Sequence, residues 1–279
     1  MTSLNHTTSE TSVGVLESKD GELSKLALYD RHKIICELVE KQGKVTVEEL
    51  AHRFGISSVS VRADLKALDL EGALLRIRGG AVARREDEDL PISVKQNLHH
   101  PEKVRIAKAA ASLIQDGETV ILDSGTTTAE IAKQIRLLKF SSLNVITNAL
   151  NIAVILAGCP QITLIMPGGV LRPNSFSLSG PQAELALDNL YVDRLFLGVD
   201  SLDPDLGLMT PYLLEAQLNA KMIQISRQIV AVADSSKLMR RNLSVIAKVD
   251  KIDMLITDTD AQAVTIDALR AHGVEVLLV

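Results

Sequence analysis

The sequence is poor in aromatic residues, which make up 3% of its 279 positions, and it has no tryptophan. Modules that bind RNA by stacking bases on a sheet need aromatic side chains, so the composition argues against that class. Cysteine is also scarce. Cys36 and Cys159 lie in separate apolar segments without CxxC spacing. This favours buried free thiols in a reducing compartment over a disulfide.

Long apolar runs are missing as well. The longest ones are too short and too often interrupted to cross a bilayer, and the first residues lack the pattern of a signal peptide. We therefore expect a cytoplasmic protein. No group of His, Cys and Asp residues has metal-ligand spacing, so we expect no metal and no cofactor. His32 and Cys36 are four residues apart, a pair that usually reflects packing.

Charge is unevenly distributed along the chain. The formal net charge is −5, which by itself does not suggest a nucleic-acid partner. Residues 29–85, however, carry eleven basic against eight acidic residues, so the remainder is more acidic than the average. A mildly basic N-terminal module on an acidic body is compatible with DNA binding, although many solvated surfaces differ by as much. The apolar fraction of 46% supports a substantial core.

Composition and periodicity divide the chain into four regions. Residues 1–27 are rich in Ser, Thr and Glu without an apolar period, which predicts a disordered tail. Residues 28–85 have short helical patterns and a strand pair. Residues 86–101 are acidic, then polar, with prolines near both ends, which predicts an interdomain linker. Residues 102–279 alternate strand and helix patterns.

The N-terminal region contains two short helices separated by a turn. The first, "TVEELAHRF", starts with Thr46 and Glu49 in capping-box spacing and stops at Gly55. The second, "SSVSVRADLKALDLEG", starts at Ser57 and stops at Gly72. A brief strand, "LLRIR", and a Gly-Gly turn follow. This is the layout of a winged helix-turn-helix, whose second helix enters the major groove.

That layout makes a set of polar and basic residues the candidates for DNA contact. They can hydrogen-bond phosphates or base edges. The candidates are Ser57, Ser58, Ser60, Arg62, Lys66, Arg76 and Arg78. The alternative is an ordinary small helical bundle with solvated arginines, because a helix, turn and helix at this spacing also arise by chance.

The stretch from Arg31 to Ala81 resembles the DNA-binding domain of the DeoR family of bacterial transcription regulators. The family's signature helix reads S-x-x-T-[aliphatic]-R-x-D-L, and this chain reads "SSVSVRADL". Ser60 replaces the usual threonine and keeps its hydroxyl. Ala63 stands where many members have a second basic residue. The acid of the signature, Asp64, is expected to pair within the domain, since DNA would repel it.

The C-terminal region predicts a mostly parallel α/β sheet of Rossmann-like type, because short apolar strands alternate with helices. The candidate strands are "TVILD", "LNVIT", "ITLIM", "RLFLG", "IVAVAD", "DMLIT" and "VEVLLV". The candidate helices lie near 102–115, 126–138, 149–157, 181–190, 212–226 and 261–272.

Several of these strands end in polar loops, where ligands of α/β sheets gather. The loops are 123–128, 147–148, 167–169, 198–201 and 234–237. The first, "DSGTTT", offers hydroxyls and backbone N–H groups at the start of a helix, a fitting cradle for phosphate. Lys237 could add a cationic charge. The alternative is that each loop is only a helix cap, for which Ser, Thr, Asn and Asp are the usual residues.

The order of these loops resembles the DeoR-family sensor domain across residues 103–258. The matching motifs are "LDSGTTT", "VITNAL", "MPGGVLR", "LFLGVDSLD", "EAQLNAKM", "ADSSK" and "IDMLITD". The resemblance implies the fold of sugar-phosphate isomerases and amino-sugar-phosphate deaminases, and a phosphorylated sugar as ligand. "LFLGVD" and "GVEVLLV" are most similar to the repressors of N-acetylgalactosamine and related amino-sugar operons.

The resemblance also assigns roles to residues. It implies that the loop from Ser124 to Thr128 holds the phosphate, that Lys237 adds charge, and that Asp200 and Glu215 face the sugar. The complete set of expected effector-binding residues is Asp123, Ser124, Gly125, Thr126, Thr127, Thr128, Thr147, Asn148, Gly168, Gly169, Asp200, Glu215 and Lys237. At 198–201 the chain reads "GVDS" where many relatives read G-A-D-G, so this loop departs from the family pattern.

Two functions remain open at this point. Asp123, Asp200 and Glu215 could serve an isomerase or deaminase as acids or bases, but no histidine falls in the strand-end loops. The attached DNA-binding module favours a switch: a repressor of a sugar or amino-sugar catabolic operon, without catalytic residues, whose DNA affinity depends on a phosphorylated sugar. Because operators commonly have two-fold symmetry, a homo-oligomer, dimer or tetramer, is expected.

Overall fold

The computed structural model describes residues 28–70, 73–82 and 91–279. The chain forms two compact units, which divide between residues 88 and 89. The predicted tail, residues 1–27, lies outside the described residues. So does Gly72, the predicted stop of the second short helix.

The described residues of the first unit form three helices and a small antiparallel sheet of strand order β1-β3-β2. Its elements are α1 (Leu28–Gln42), β1 (Lys44–Thr46), α2 (Val47–Phe54), α3 (Ser58–Leu70), β2 (Leu75–Ile77) and β3 (Gly80–Val82). The predicted capping box is confirmed: Glu49 N–H donates to Thr46 Oγ1 at 3.1 Å, and Thr46 N–H donates to Glu49 Oε2 at 2.8 Å. Gly55 ends α2 with a φ of 61°, a left-handed conformation that favours glycine.

The strand pair of this unit differs in one respect from its sequence pattern. Arg78 lies in the turn with Gly79, whereas an alternating strand is predicted there. Gly80 begins β3 instead of closing a Gly-Gly turn. A Cβ on Gly80 would lie 2.0 Å from the carbonyl oxygen of Val45, so the β1–β3 pairing requires glycine at this position.

The second unit is built on a seven-stranded parallel sheet of order β15-β14-β12-β9-β4-β5-β6. Its strands are β4 (Thr119–Leu122), β5 (Leu143–Thr147), β6 (Ile162–Ile165), β9 (Val192–Gly198), β12 (Ser226–Val232), β14 (Met254–Thr257) and β15 (Glu275–Leu278). All seven predicted strands are in this sheet, which confirms the mostly parallel α/β fold.

Seven helices belong to this unit. They are α4 (Ile92–Lys95), α5 (His100–Ser112), α6 (Thr126–Ile135), α7 (Leu150–Leu156), α8 (Pro181–Ala186), α9 (Leu213–Ile225) and α10 (Ala263–Ala271). Buried aliphatic side chains form two clusters around the sheet. No helix in the described ranges has the length and apolarity to cross a membrane.

Two smaller β structures complete the second unit, and strand periodicity does not predict either. One is the hairpin β7 (Val170–Arg172) with β8 (Ser177–Ser179), and the other is the antiparallel sheet of β10 (Ser201–Asp203), β11 (Gly207–Thr210) and β13 (Ser244–Ala247). Each of these strands has three or four residues. Runs this short leave too little alternation to recognise.

The segment predicted as a linker, 86–101, is structured in its second half. Helix α4 and the start of α5 lie in it, and Ile92 N–H donates to Asn174 O at 2.7 Å. Residues 91–101 therefore pack as part of the second unit, because a proline-flanked polar stretch can form helices once tertiary contacts fix it.

The order in which strands are added to the sheet reverses between β4 and β9. From β4 the strand order runs to β5 and β6 on one side, and to β9, β12, β14 and β15 on the other. Since all seven strands are parallel, their carboxyl ends meet at one edge. The crevice at such a switch point is where open α/β sheets bind ligands.

Candidate DNA-binding surface and ligand site

Helix α3 begins at a serine cap. Ser57 Oγ accepts a hydrogen bond from Ser60 N–H at 3.1 Å, and the two hydroxyl oxygens share a hydrogen bond at 3.0 Å. Both serines are exposed. The hydroxyls predicted to contact DNA therefore also fix the start of the helix, because they satisfy a backbone N–H of its first turn.

A polar stripe follows the cap along one face of α3. Ser58, Arg62 and Lys66 are spaced four residues apart, and Arg62 Nη1 donates to Ser58 Oγ at 3.3 Å. Arg62 and Lys66 are exposed. The predicted wing residues Arg76 and Arg78 are exposed too. Within the first unit, the structure thus leaves the four predicted basic contacts open to a phosphate backbone.

The one acid of the signature stretch, Asp64, has a structural role. Asp64 is 4% exposed and accepts hydrogen bonds from Arg31 Nε at 2.7 Å and Arg31 Nη2 at 3.0 Å. His32 Nε2 lies 3.4 Å from the same carboxylate. The carboxyl group raises the pKa of Arg31 through this hydrogen bond, while burial of the guanidinium opposes the shift. The expectation of pairing within the domain is confirmed, and α3 is held to α1.

One exposed apolar residue on α3 escaped the sequence analysis. Val59 is 70% exposed, between the capping serines. Only polar and basic residues were considered as DNA contacts. An exposed valine at the start of such a helix is nevertheless suited to contact a thymine methyl group.

In the second unit, the predicted phosphate loop forms the start of α6. Gly125 has φ 153° and precedes the first turn, which receives no hydrogen bond from a capping side chain. A Cβ at Gly125 would lie 3.2 Å from Thr128 Oγ1. Thr128 Oγ1 itself donates to Gly125 O at 3.1 Å. The positive end of a ten-residue helix thus faces the strand-end crevice without a side-chain acceptor.

Asp123 lies at the switch point itself. Its N–H donates to Phe196 O of β9 at 3.1 Å, and Asn219 Nδ2 donates to its Oδ2 at 3.4 Å. A Cβ on Gly198 would lie 3.5 Å from the same oxygen. Burial raises the pKa of the Asp123 carboxyl well above its usual range, and the charges of Glu215 and Asp200 raise it further. Burial therefore favours the protonated form of Asp123, which can donate a hydrogen bond.

A second polar cluster lies around Glu215 on α9. Its Oε1 accepts hydrogen bonds from Arg172 Nη1 at 3.0 Å and Ser177 Oγ at 2.7 Å, and Ser175 Oγ lies 3.4 Å away. The Arg172 guanidinium carbon stands 3.2 Å from the centre of the Tyr212 ring. The β7–β8 hairpin and α9 are thereby joined by a charged, hydrogen-bonded contact.

Other predicted residues have structural partners. Thr147 Oγ1 accepts from Ala149 N–H at 3.1 Å, so this threonine shapes the turn into α7. Asn148 Nδ2 donates to Leu178 O at 3.3 Å, whereas its buried Oδ1 has no partner among the described atoms.

Three further predicted residues serve the turns and loops at this edge. Gly168 and Gly169 have φ values of 78° and 109° and open the β7–β8 hairpin. Asp200 accepts from Thr210 Oγ1 at 2.9 Å.

Lys237 lies in a short 3-10 turn, Ser235–Lys237, at the end of β12. It is half-buried and makes no ion pair with any described residue. Its charge acts on Lys103 of α5, which is 4% exposed. Burial lowers the pKa of Lys103 to about 8, with Asp234 opposing and Lys237 reinforcing the shift.

The sequence analysis missed four residues of this edge: Arg172, Ser177, Asn219 and Lys103. Asn219 follows Glu215 by four positions, so helical spacing alone places both on one face and could have revealed it. Arg172 stands in "MPGGVLR", a motif recognised as a whole. Nothing in the local pattern distinguishes Lys103 from a surface lysine.

Comparison with protein families matches both units. Residues 31–87 match the DeoR-like helix-turn-helix domain, and residues 98–259 match the DeoR C terminal sensor domain.

The chain belongs to the DeoR family.

As a DeoR-family protein it is a transcriptional regulator with a DNA-binding helix-turn-helix domain and a sensor domain. A relative from Escherichia coli O157:H7, named as an aga operon transcriptional repressor, is 39% identical over 93% of this chain and 97% of its own. The HTH-type transcriptional regulator YulB of Bacillus subtilis is 33% identical over 91% of this chain and 98% of its own. UlaR of Shigella dysenteriae serotype 1 is 32% identical over 89% and 98%.

Solved structures similar to this DeoR-family chain include ribose 5-phosphate isomerase A from Methanocaldococcus jannaschii. It is 20% identical, with a TM-score of 0.38, covering 50% of this chain and 55% of that one. The initiation factor eIF-2B from Pyrococcus horikoshii OT3 is 18% identical, with a TM-score of 0.40, covering 81% and 76%. Likeness at this level does not bear on activity.

Proposed function

We propose that this regulator represses a sugar or amino-sugar catabolic operon, and that a phosphorylated sugar in the strand-end crevice sets its affinity for operator DNA. The name of the Escherichia coli relative supports repression of an amino-sugar operon. The effector can change DNA affinity only as far as it prefers one arrangement of the protein, and such coupling is commonly about 1–3 kcal/mol.

The observation that carries the proposal is the start of α6. Its first turn lacks a side-chain cap, and it begins directly after Asp123 at the switch point of the sheet. The first turns of α5, α7, α8, α9 and α10 also lack a side-chain hydrogen bond, so what distinguishes α6 is its position at the switch point. A phosphate is an acceptor that fits a positive helix end at that place. Lys237, at the end of β12, supplies a full charge on the neighbouring side.

The sugar is expected to lie between this loop and the Glu215 cluster. A protonated Asp123 offers a donor, and Asp200 and the buried Oδ1 of Asn148 offer acceptors for hydroxyl groups. Gly198 leaves room beside Asp123, since a side chain there would approach Ser124 O to 3.0 Å. The remaining predicted residues of the loops shape the backbone around this space.

On the DNA side, α3 is the helix proposed to enter the major groove. Its polar stripe of Ser58, Arg62 and Lys66 would contact phosphates and base edges, with Arg76 and Arg78 on the flanking backbone. The capping serines, Ser57 and Ser60, complete the predicted DNA-contact set. Because a two-fold operator requires two such helices, we propose a homodimer or a higher homo-oligomer acting in the cytoplasm.

We further propose that the chain is not an enzyme. The competing function, isomerisation or deamination of a sugar phosphate, is favoured by the raised pKa of Asp123, which would suit a general acid. A base is also needed, and Glu215 Oε1 is already engaged by Arg172 and Ser177. That arrangement serves to fix the hairpin and leaves this oxygen poorly placed to abstract a proton.

A thermal-shift screen with hexose, ketose and hexosamine phosphates tests the proposal. At a hundred times its dissociation constant, a ligand stabilises the native state by about 2.7 kcal/mol, which raises the melting temperature by roughly 5–10 °C. Hits are then tested for release of operator DNA in a gel shift, and for turnover by mass spectrometry. Turnover of a hit would refute the sensor-only role, and the absence of any phosphate-dependent shift would refute the site.

A further inference from the structure

Residues 91–99 connect the region between the units to α5, and we call them the strap. The strap contains α4 and is the first described segment of the second unit. Any conformational change that is conducted along the chain from the sensor domain to the DNA-binding domain has to pass through it.

The strap is anchored first to the β7–β8 hairpin. Ile92 N–H donates to Asn174 O at 2.7 Å, and the Ile92 side chain is buried. Asn174 lies in the hairpin turn between Arg172 and Ser175. Since both of these neighbours contact Glu215, the front of the strap is attached to the cluster proposed to face the sugar.

The second anchor is the ammonium group of Lys103. Its Nζ donates to Lys95 O at 2.7 Å and to Leu98 O at 2.6 Å, so it binds the rear half of the strap. The same buried charge interacts with Asp234 and Lys237 at the end of β12. Helix α5, which carries Lys103, packs against β12. The rear of the strap is therefore linked through Lys103 to the end of β12, where Lys237 lies.

The strap ends in a residue with a left-handed backbone. His99 has φ 52° and ψ 34°, a conformation that only a few per cent of non-glycine residues adopt, histidine, asparagine and aspartate most often among them. It immediately precedes α5, and its carbonyl accepts from Lys103 N–H at 3.0 Å. Such a conformation persists only when surrounding contacts impose it, so a change at either anchor allows the strap to relax.

We propose that the conformation of the strap depends on whether the ligand site is occupied. Its first anchor is attached to the β7–β8 hairpin, which contacts the cluster proposed to face the sugar. Its second anchor is linked to the turn after β12, where Lys237 is proposed to supply charge to the phosphate. The identity of the effector rests on the proposed function, whereas the link between strap and site is a property of the protein alone. Because such coupling is reciprocal, a substitution that releases the strap should also change the stability of the ligand-site loops when no ligand is bound.

The first test changes the strap and observes the site. Lys103→Met removes the two donated hydrogen bonds and keeps the apolar stem, and Lys108→Met is the control, an exposed lysine on the same helix. Hydrogen exchange of the full-length chain is measured without ligand. A hydrogen bond from a charged group is worth about 1.5–3 kcal/mol, so amides 92–96, 172–178 and 234–238 should exchange roughly 10- to 100-fold faster. Faster exchange confined to the strap overturns the proposal.

The second test changes the site and observes the strap. Ser175→Ala removes a hydroxyl from the hairpin cluster, and Ser112→Ala is the control, an exposed serine at the end of α5. We expect at least threefold faster exchange across 91–99 in Ser175→Ala, an order-of-magnitude figure at the lower end of what one lost hydrogen bond is worth. Equal rates in the two serine variants overturn the proposal even if Lys103→Met does not fold. A failed ligand screen would remove the proposed effector and leave both results standing.

Discussion

Replacing Asp64 by asparagine tests how the DNA-binding domain is held together. In the native domain its carboxylate forms a two-pronged contact with Arg31, at 2.7 and 3.0 Å, and lies 3.4 Å from His32. Asparagine has nearly the same shape but no charge, and one of its two polar atoms is a donor facing other donors. The guanidinium of Arg31 then loses its counter-charge while its side chain is only 15% exposed.

The size of the effect follows from this burial. Removing one partner of a buried ion pair costs about 3–5 kcal/mol, because the other charge stays desolvated. Water that reaches the exposed part of Arg31 offsets some of this, so we expect a loss near 3 kcal/mol. At about 0.05–0.15 kcal/mol per residue, a domain of some 55 residues has only about 3–8 kcal/mol of stability in total. The substitution therefore removes a large share of this domain's free energy of unfolding.

The assay is urea unfolding followed by hydrogen exchange, which reports residues 28–82 and 91–279 separately. Asp69→Asn is the matched control, because Asp69 lies on the same helix and accepts only one described hydrogen bond, from Arg76 N–H at 3.1 Å. We expect the midpoint to fall in the first unit alone, with loss of DNA binding, and to recover in part in a double variant with Arg31→Met. Equal midpoints for the two asparagine variants would refute the proposed role of the ion pair.

Three further outcomes are expected. Arg62→Ala should reduce the slope of log binding constant against log salt concentration by about one, since one phosphate contact is lost. Lys41→Ala, on α1, is the control. An unchanged slope for Arg62→Ala excludes the contact. Thr126→Glu should place a carboxylate at the α6 N–H groups and abolish the effector's thermal shift while DNA binding survives; a retained shift would mean that no phosphate binds there. Asp123→Asn should stabilise the chain increasingly as the pH rises above the ordinary pKa of an aspartate. The wild-type carboxyl, with its raised pKa, contributes stability below its unfolded pKa and loses it as the pH rises through the folded pKa; a melting-temperature difference that does not grow with pH contradicts this.

Hydrophobic periodicity was sufficient to locate the main elements. The seven strands of the parallel sheet each have four to seven residues and a dense aliphatic pattern. Asp123, Asn148 and Asp234 follow strand ends at one edge of this sheet, as the pattern predicts, and ligand binding at that edge stays a prediction. The Thr46–Glu49 box and the pairing of Asp64 within the domain were also foreseeable, because they depend on local spacing or on the sign of a charge.

Contacts between residues distant in sequence could not be foreseen in the same way. Arg172 meets Glu215 across 43 positions, and the hairpin that brings it there is too short to produce a periodic signal. Lys103 is buried only because the strap folds over it. For Ser57 the residue type alone predicted a DNA contact. The structure shows that its hydroxyl also accepts a hydrogen bond from Ser60 N–H at the start of α3.

The position of the crevice has a consequence for folding. The sheet joins two continuous stretches of chain, 119–165 and 192–278, and their only pairing is β4 with β9. Long-range parallel pairing is slow to form, since a long loop must close first. The crevice lies across this junction, so it exists only after both halves have docked. A molecule bound there bridges the two halves, and during synthesis the chain cannot sense its effector before β9 has been made.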